Sequence, residues 1–341
     1  MTTAGENSVT PVGLGDRLEV VPPPDLPRGN EREGWRRLIS QPLPLICLLI
    51  VAAYVVTGVL SFFPFFERHI NEPLGAQKTF APPALHQTWQ DGTVTIAPSR
   101  WLGLDFQGRS VLWRVLYGCR IALTITVCAS VIAISIGVVL GLLAGYFGGW
   151  IDDLIIWLYS TVSSVPWLLL VIAMAYVIQN AQSIHAAEAP TGWRAFFGET
   201  PTVIFALGFT DWVGLCRLLR GEVLKLRDQD FVIAARAMGL NNGRIMLRHI
   251  LPNTFHIVII TFSINAVSYV QVEVVLAFLG LGITSKPSWG RMIDDSKLEM
   301  LRGIWWELAA ATFAIFVLCL ALNLLGDALR DALDPRLRGT K

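Results

Sequence analysis

The chain is short of charge. Of its 341 residues only 16% are Asp, Glu, Lys or Arg, against about 25% in an ordinary soluble domain. With 53% hydrophobic residues and a mean hydropathy of +0.54, a water-soluble globule is excluded. Neither sign of charge dominates: 27 Lys and Arg stand against 26 Asp and Glu. The basic footprint of a nucleic-acid binder is therefore missing, and no nucleic-acid partner is expected. Cysteine is scarce, and Cys47, Cys119, Cys128, Cys216 and Cys319 form no Cys-x-x-Cys pair and no His-containing pattern that suits a metal. They read as small buried hydrophobes, and no metal or other cofactor is expected in this chain. Also absent is the Gly-x4-Gly-Lys-Ser/Thr cradle of nucleotide hydrolases. The Gly-rich stretch around Gly148 and Gly149 reads as a tight turn instead, so any nucleotide-driven work falls to another chain.

What the sequence has in abundance is long charge-free runs. A helix needs about 20 apolar residues to cross a bilayer core roughly 30 Å thick. Residues 44–66, 121–150, 154–184 and 308–326 each meet that length without a charge. Two further runs carry polar groups, 201–216 with Asp211 and 254–283 with His256, Asn265, Gln271 and Glu273. A single such group is tolerated where it faces protein or water. The reading is an all-α integral membrane protein of six transmembrane helices in contact with membrane lipid. Lys and Arg favour the segments before the first span, between spans four and five, and after the last, which predicts both termini in the cytoplasm.

The expected organisation is a Pro-rich N-terminal tail over 1–42, a first transmembrane helix over 43–66, and an extracytoplasmic loop with an interfacial helix over 67–118. A five-helix core then runs over 119–326, containing a loop at 218–253, and a tail over 327–341 follows. Residues 109–120, with Val111, Leu112, Val115 and Leu116 on one face, read equally as an interfacial helix or as the start of the second span. The Gly137, Gly141, Gly145 stripe reads as a surface for close helix packing.

The loop at 218–253 is long for a mere connection. Ala234, Ala235 and Ala237 sit on a short helix whose small side chains would let a partner approach, and Gly239 stops it. A second helical stretch carries Arg244, Arg248 and His249 and is expected to end at Pro252.

Here the chain resembles the inner-membrane permease subunits of ABC importers. Their loop reads Glu-Ala-Ala, three residues, Gly, nine residues, a hydrophobic position, any residue, then Leu-Pro. The matching positions are Ile233-Ala234-Ala235, Gly239, His249 and Leu251-Pro252, with Ile233 in place of the Glu. The resemblance implies a type I permease fold with a cytoplasmic coupling helix between spans four and five. That helix would seat in a separate ATPase through Phe231, Ile233, Ala234, Ala235, Ala237, Met238 and Gly239, with Leu251 and Pro252 closing the motif.

Over residues 98–338 the chain is similar to the oligopeptide and dipeptide branch, the second of its two permeases. The similarity rests on Gly103, Asp105, Gly108, Arg109, Arg114, Gly118 and Arg120, on 273–282 with Pro287-Ser288-Trp289-Gly290, and on the block from Asn323. Leu104, Ser110, Trp113, Trp157 and Ser160 depart from it. The resemblance implies an inner-membrane location, a homologous permease partner, two ABC ATPase subunits that consume ATP and Mg, and an extracytoplasmic solute-binding protein docking on 67–110 and 284–303. The solute would be a peptide or peptide-like molecule, and this chain would catalyse no covalent chemistry.

Glu273, Asp211, Asn265 and Gln271 are the candidate pathway or gating residues, since carboxylates and amides inside a span are costly unless used. For Glu273 an interhelical hydrogen bond is the competing reading, and for Asp211 mere proximity to the interface. An ion-coupled secondary transporter using Glu273 and Asp211 is the alternative function.

Overall fold

A computed structural model describes residues 41–71, 80–84, 86–88, 94–96, 98–184, 200–283 and 286–333. Nearly all of the predicted N-terminal tail, the end of the C-terminal tail and much of the 67–110 loop lie outside the described residues. Among the described residues five helices are long and apolar enough to cross a membrane, and a sixth crossing results if one bent pair is a single span.

Helix α1 spans Pro42–Leu60. The charge-free run predicted a span reaching residue 66, but a turn at Ser61 to Phe63 ends it, and a separate short helix α2 (Pro64–Asn71) follows. The two strands β1 (His86–Thr88) and β2 (Val94–Ile96) pair antiparallel, a small addition to the expected all-α architecture. Then comes α3, Val111–Phe147, 37 residues without a break. Its length of about 55 Å, at 1.5 Å per residue, exceeds the bilayer core by nearly a factor of two. The predicted interfacial helix is therefore no separate element: it is the first turns of this mast.

The third predicted span is not straight. Helix α4 (Gly149–Ser163) and helix α5 (Trp167–Ile184) are bent by 86° at the break between them. Pro166 supplies no N–H and pushes the residue before it out of the helical region, and the Ser164 hydroxyl donates to the Thr161 carbonyl at 2.7 Å. Gly148, with φ of 67°, makes the reversal from α3 into α4, a conformation that suits a residue without Cβ.

The fourth span is one crossing over Pro201–Leu226, with the single turn residue Asp211 between α6 (Thr200–Thr210) and α7 (Trp212–Leu226). Helix α8 covers Asp230–Ala237. Helix α9 (Asn242–Ile245), a π-turn (Met246–Ile250) and α10 (Leu251–Phe278) run on as one apolar crossing. The expectation that Pro252 ends a separate helix is thus corrected. Pro252 lies at the start of α10 behind the π-turn, where a missing N–H costs least. Helix α11 (Trp289–Ser296) and α12 (Trp306–Leu333) complete the chain.

The mast organises the rest. Buried clusters join α3 to α5, α6 and α10, to α10, α11 and α12, and to α4 and α7. The stripe of small residues does what its spacing predicts. A Cβ on Gly137 or Gly141 would sit 3.0 Å from the carbonyl of Trp212 or Cys216, and one on Gly145 would sit 2.9 Å from that of Arg220. So α3 and α7 touch backbone to backbone.

Candidate functional site

The loop after α7 is built as a rigid outrigger. The Arg227 guanidinium donates to the Gly145 carbonyl at 3.3 Å, tying the end of α7 to the end of α3. Helix α8 then closes with the Gly239 N–H on the Arg236 carbonyl at 3.0 Å and the Leu240 N–H on the Ala235 carbonyl at 3.2 Å. This is a Schellman ending, in which Gly239 takes the left-handed conformation, φ 75°. The Asn241 side chain caps the next helix by accepting from the Gly243 N–H, and the Tyr146 hydroxyl donates to Asn242 Oδ1 at 2.9 Å.

Within this frame Val232 and Ala235 are buried with Leu142, Tyr146, Leu219, Val223, Ile245 and Ile250, and Leu251 packs against the same cluster. Ala235 is only 1% exposed. The expectation that it helps present a small-residue surface to a partner is therefore corrected: it faces the chain's own core, because it lies three residues after Val232 on the same face. Phe231, Ile233, Ala234, Ala237, Met238 and Gly239 point outward, as does Pro252. Met238 is 72% exposed and Ile233 51%. The departure from Glu at Ile233 thus falls on the open face and makes it more apolar.

The second group of predicted residues lies inside the spans, and the fold separates them. The Tyr269 hydroxyl donates to Asp211 Oδ2 at 2.8 Å, and the Asn265 amide donates to the Tyr269 hydroxyl at 3.4 Å. Asp211 and Asn265 are so joined through Tyr269, which the sequence reading missed. Its signal was there, since Asn265, Tyr269 and Glu273 recur every four residues along one face. Gln271 is exposed on another face and joins none of them. Glu273 is buried, accepting from the Ser288 hydroxyl and the Gly290 N–H at the start of α11, with Oε1 unpartnered. Its hydrogen-bonding reading is the one that the geometry fits.

A third cluster lies at the far end of α3 from α8. Arg114, 3% exposed, donates through Nη1 to Asp105 Oδ2 and to Glu307 Oε1, both at 2.7 Å, and lies 3.5 Å from Asp295. Arg109 joins Asp105 at 2.7 Å. Gly103 leaves room for the Trp306 indole, which donates to the Leu104 carbonyl at 3.0 Å, and Trp289 donates to the Val115 carbonyl at 2.9 Å. The spaced Gly, Asp and Arg before the second span are therefore a structural knot, closed by Asp295 and Glu307 from distant parts of the sequence. Nearby Glu299 has its carboxyl pushed above the ordinary range by burial first and by Asp105 and Asp295 next, with Arg114 pulling the other way.

The chain is a multi-pass membrane helix bundle with a short helix between two crossings. The model of the binding-protein-dependent transport system inner membrane component matches residues 137–339, and the chain belongs to that family. It is 32% identical to the dipeptide transport system permease protein DppC of Bacillus subtilis, over 90% of this chain and 86% of that one. It is 30% identical to the oligopeptide transport system permease protein OppC of the same organism, over 90% of each chain. With the glutathione transport system permease protein GsiD of Shigella dysenteriae it shares 34%, over 93% of this chain and 94% of that one. The ion-coupled carrier alternative finds no support in these relationships. Membership implies work alongside a binding protein and the other components of such a system.

Proposed function

We propose that this chain is one permease half of an ATP-driven importer for short peptides or peptide-like solutes, as the names of its relatives suggest. A homologous permease would complete the pathway, two ATPase subunits would use ATP and Mg from the cytoplasm, and a solute-binding protein would dock on the opposite side. Both termini would then be cytoplasmic, in the inner membrane.

The observation that carries this reading is the build of α8. One face is packed to the inner ends of α3, α7 and α10 through Val232 and Ala235, while the other exposes Phe231, Ile233 and Met238. An apolar face left open on a helix whose other face is packed to the crossings suits a partner that pushes on it. Closure of the ATPases would move α8 as a rigid body, and the spans packed to it would follow. Asp211, through Tyr269, would hold two neighbouring crossings together during that motion, and Glu273 would hold α11 to α10.

Single cysteines at Ala234 and Met238 test the docking. In the assembled transporter they are expected to crosslink to an ATPase subunit, whereas a cysteine at Val232 is not. Crosslinks that reach only lipid or the binding protein would overturn the reading.

A further inference from the structure

The bend between α4 and α5 and the turn at Asp211 border one cavity. Helices α4 and α5 part at residues 164–166, and α6 and α7 part at Asp211. The cavity has a volume of about 370 Å³, and its lining includes Ser163, Trp167, Leu170, Asp211, Val213 and Arg217. Such a volume falls in the range of small-molecule sites. The crossing that holds Asp211 begins at Pro201, so Asp211 lies about 15 Å along it, and Arg217 about 9 Å further toward the α8 end, at 1.5 Å per residue.

An exposed guanidinium on a crossing is costly unless it faces water or protein. Arg217 is exposed. Its guanidinium has only a long contact of 3.4 Å to the Ser163 hydroxyl and a place over the Tyr159 ring, 5.1 Å from the centroid. Asp211 has one oxygen held by Tyr269. Neither has an oppositely charged partner within 4.0 Å among the described residues. On the same lining, the Trp167 indole N–H has no acceptor. One anion, one cation and apolar wall thus share one cavity.

We propose that this cavity is a solute subsite that holds a short peptide by its two ends. Asp211 takes the α-ammonium, Arg217 takes the carboxylate, and Leu170 and Val213 face a side chain. This inference rests on the peptide reading above and names the residues that would recognise the peptide.

The test uses the complete transporter in nanodiscs and a radiolabelled dipeptide carrying a diazirine-bearing leucine. Light-induced label is expected on the segments that contain Trp167 and Val213. The unlabelled free dipeptide should compete about tenfold better than its N-acetylated or C-amidated form, the value of one charge-assisted contact. Asp211→Asn should remove the penalty for acetylation and Arg217→Gln the penalty for amidation, while Asp211→Glu and Arg217→Lys keep both. Label confined to other segments, or variants that bind less without changing the preference for free ends, would overturn the subsite. ATP-driven uptake in proteoliposomes separates this from the function itself. Uptake without label here overturns the subsite alone, and label here without ATP-driven uptake overturns the importer reading while the subsite stands.

Discussion

The two ends of α3 are anchored by opposite chemistry. At its start Arg114 is wedged among Asp105, Glu307 and Asp295 with almost no exposure. At its finish Leu142 and Tyr146 join an apolar cluster that clamps α8. An ionic knot demands one geometry, since each buried charge relies on its partner's placement. An apolar clamp tolerates small shifts, yet moves as one packed body. The first suits an end that must keep its shape, the second an end that transmits a push.

The sharpest way to break this contrast is Arg114→Met. Removing one partner from a buried ionic cluster costs about 3–5 kcal/mol, so the thermal midpoint in detergent should fall steeply. Adding Glu307→Leu should recover much of it, because the stranded charge is gone. If Arg114→Met alone leaves the midpoint unchanged, the knot is not the anchor described.

A smaller effect is expected at the other end. Ala235→Leu forces a larger side chain into the clamp and should cost about 1–3 kcal/mol, with coupled uptake reduced as α8 tilts. Met238→Asp, on the open face of the same helix, should change stability by less than about 0.5 kcal/mol yet weaken association with the ATPase, read by co-purification. Equal stability losses in the two variants would erase the distinction between the faces of α8.

The smallest effect is a pH dependence at the knot. Glu299 has a raised pKa in the folded chain, so the fold prefers its protonated form. The cost of carrying the charge is complete above the folded pKa, fades as pH falls through it, and is gone below the ordinary carboxylate value. Glu299→Gln should therefore raise the thermal midpoint modestly near about pH 8 and leave it unchanged near about pH 4. A gain confined to acid would reverse the sign and refute the assignment.

Much of this architecture is legible along the chain, and the failures have local causes. Charge-free length finds the crossings, since the cost of a charge in lipid leaves a plain mark on composition. It does not find their bends: the run through residues 154–184 is apolar on both sides of Pro166, and only the proline and the serines before it hint at 86°. The small-residue stripe is readable because backbone contact admits nothing larger than glycine. The orientation of α8 is not, because Ala235 suits a buried position as well as an interface, and its spacing from Val232 decides between them only once the clamp is known. Tyr269 escapes notice because a tyrosine in a span is ordinary until an aspartate is found across from it.

By itself the sequence determined that this protein lives in a membrane, crosses it repeatedly, and carries between two crossings a short helix closed by Gly239. Those outcomes follow from hydropathy and backbone sterics, which act within a few residues. Only the tertiary structure decided which side of α8 stays open, that Asp105, Arg114 and Glu307 share one knot, and that Asp211 and Arg217 line one cavity beside the bend between α4 and α5. Each of these depends on contacts between elements distant in the chain, and the free energy of a buried charge or packed side chain is set by whatever the fold brings against it.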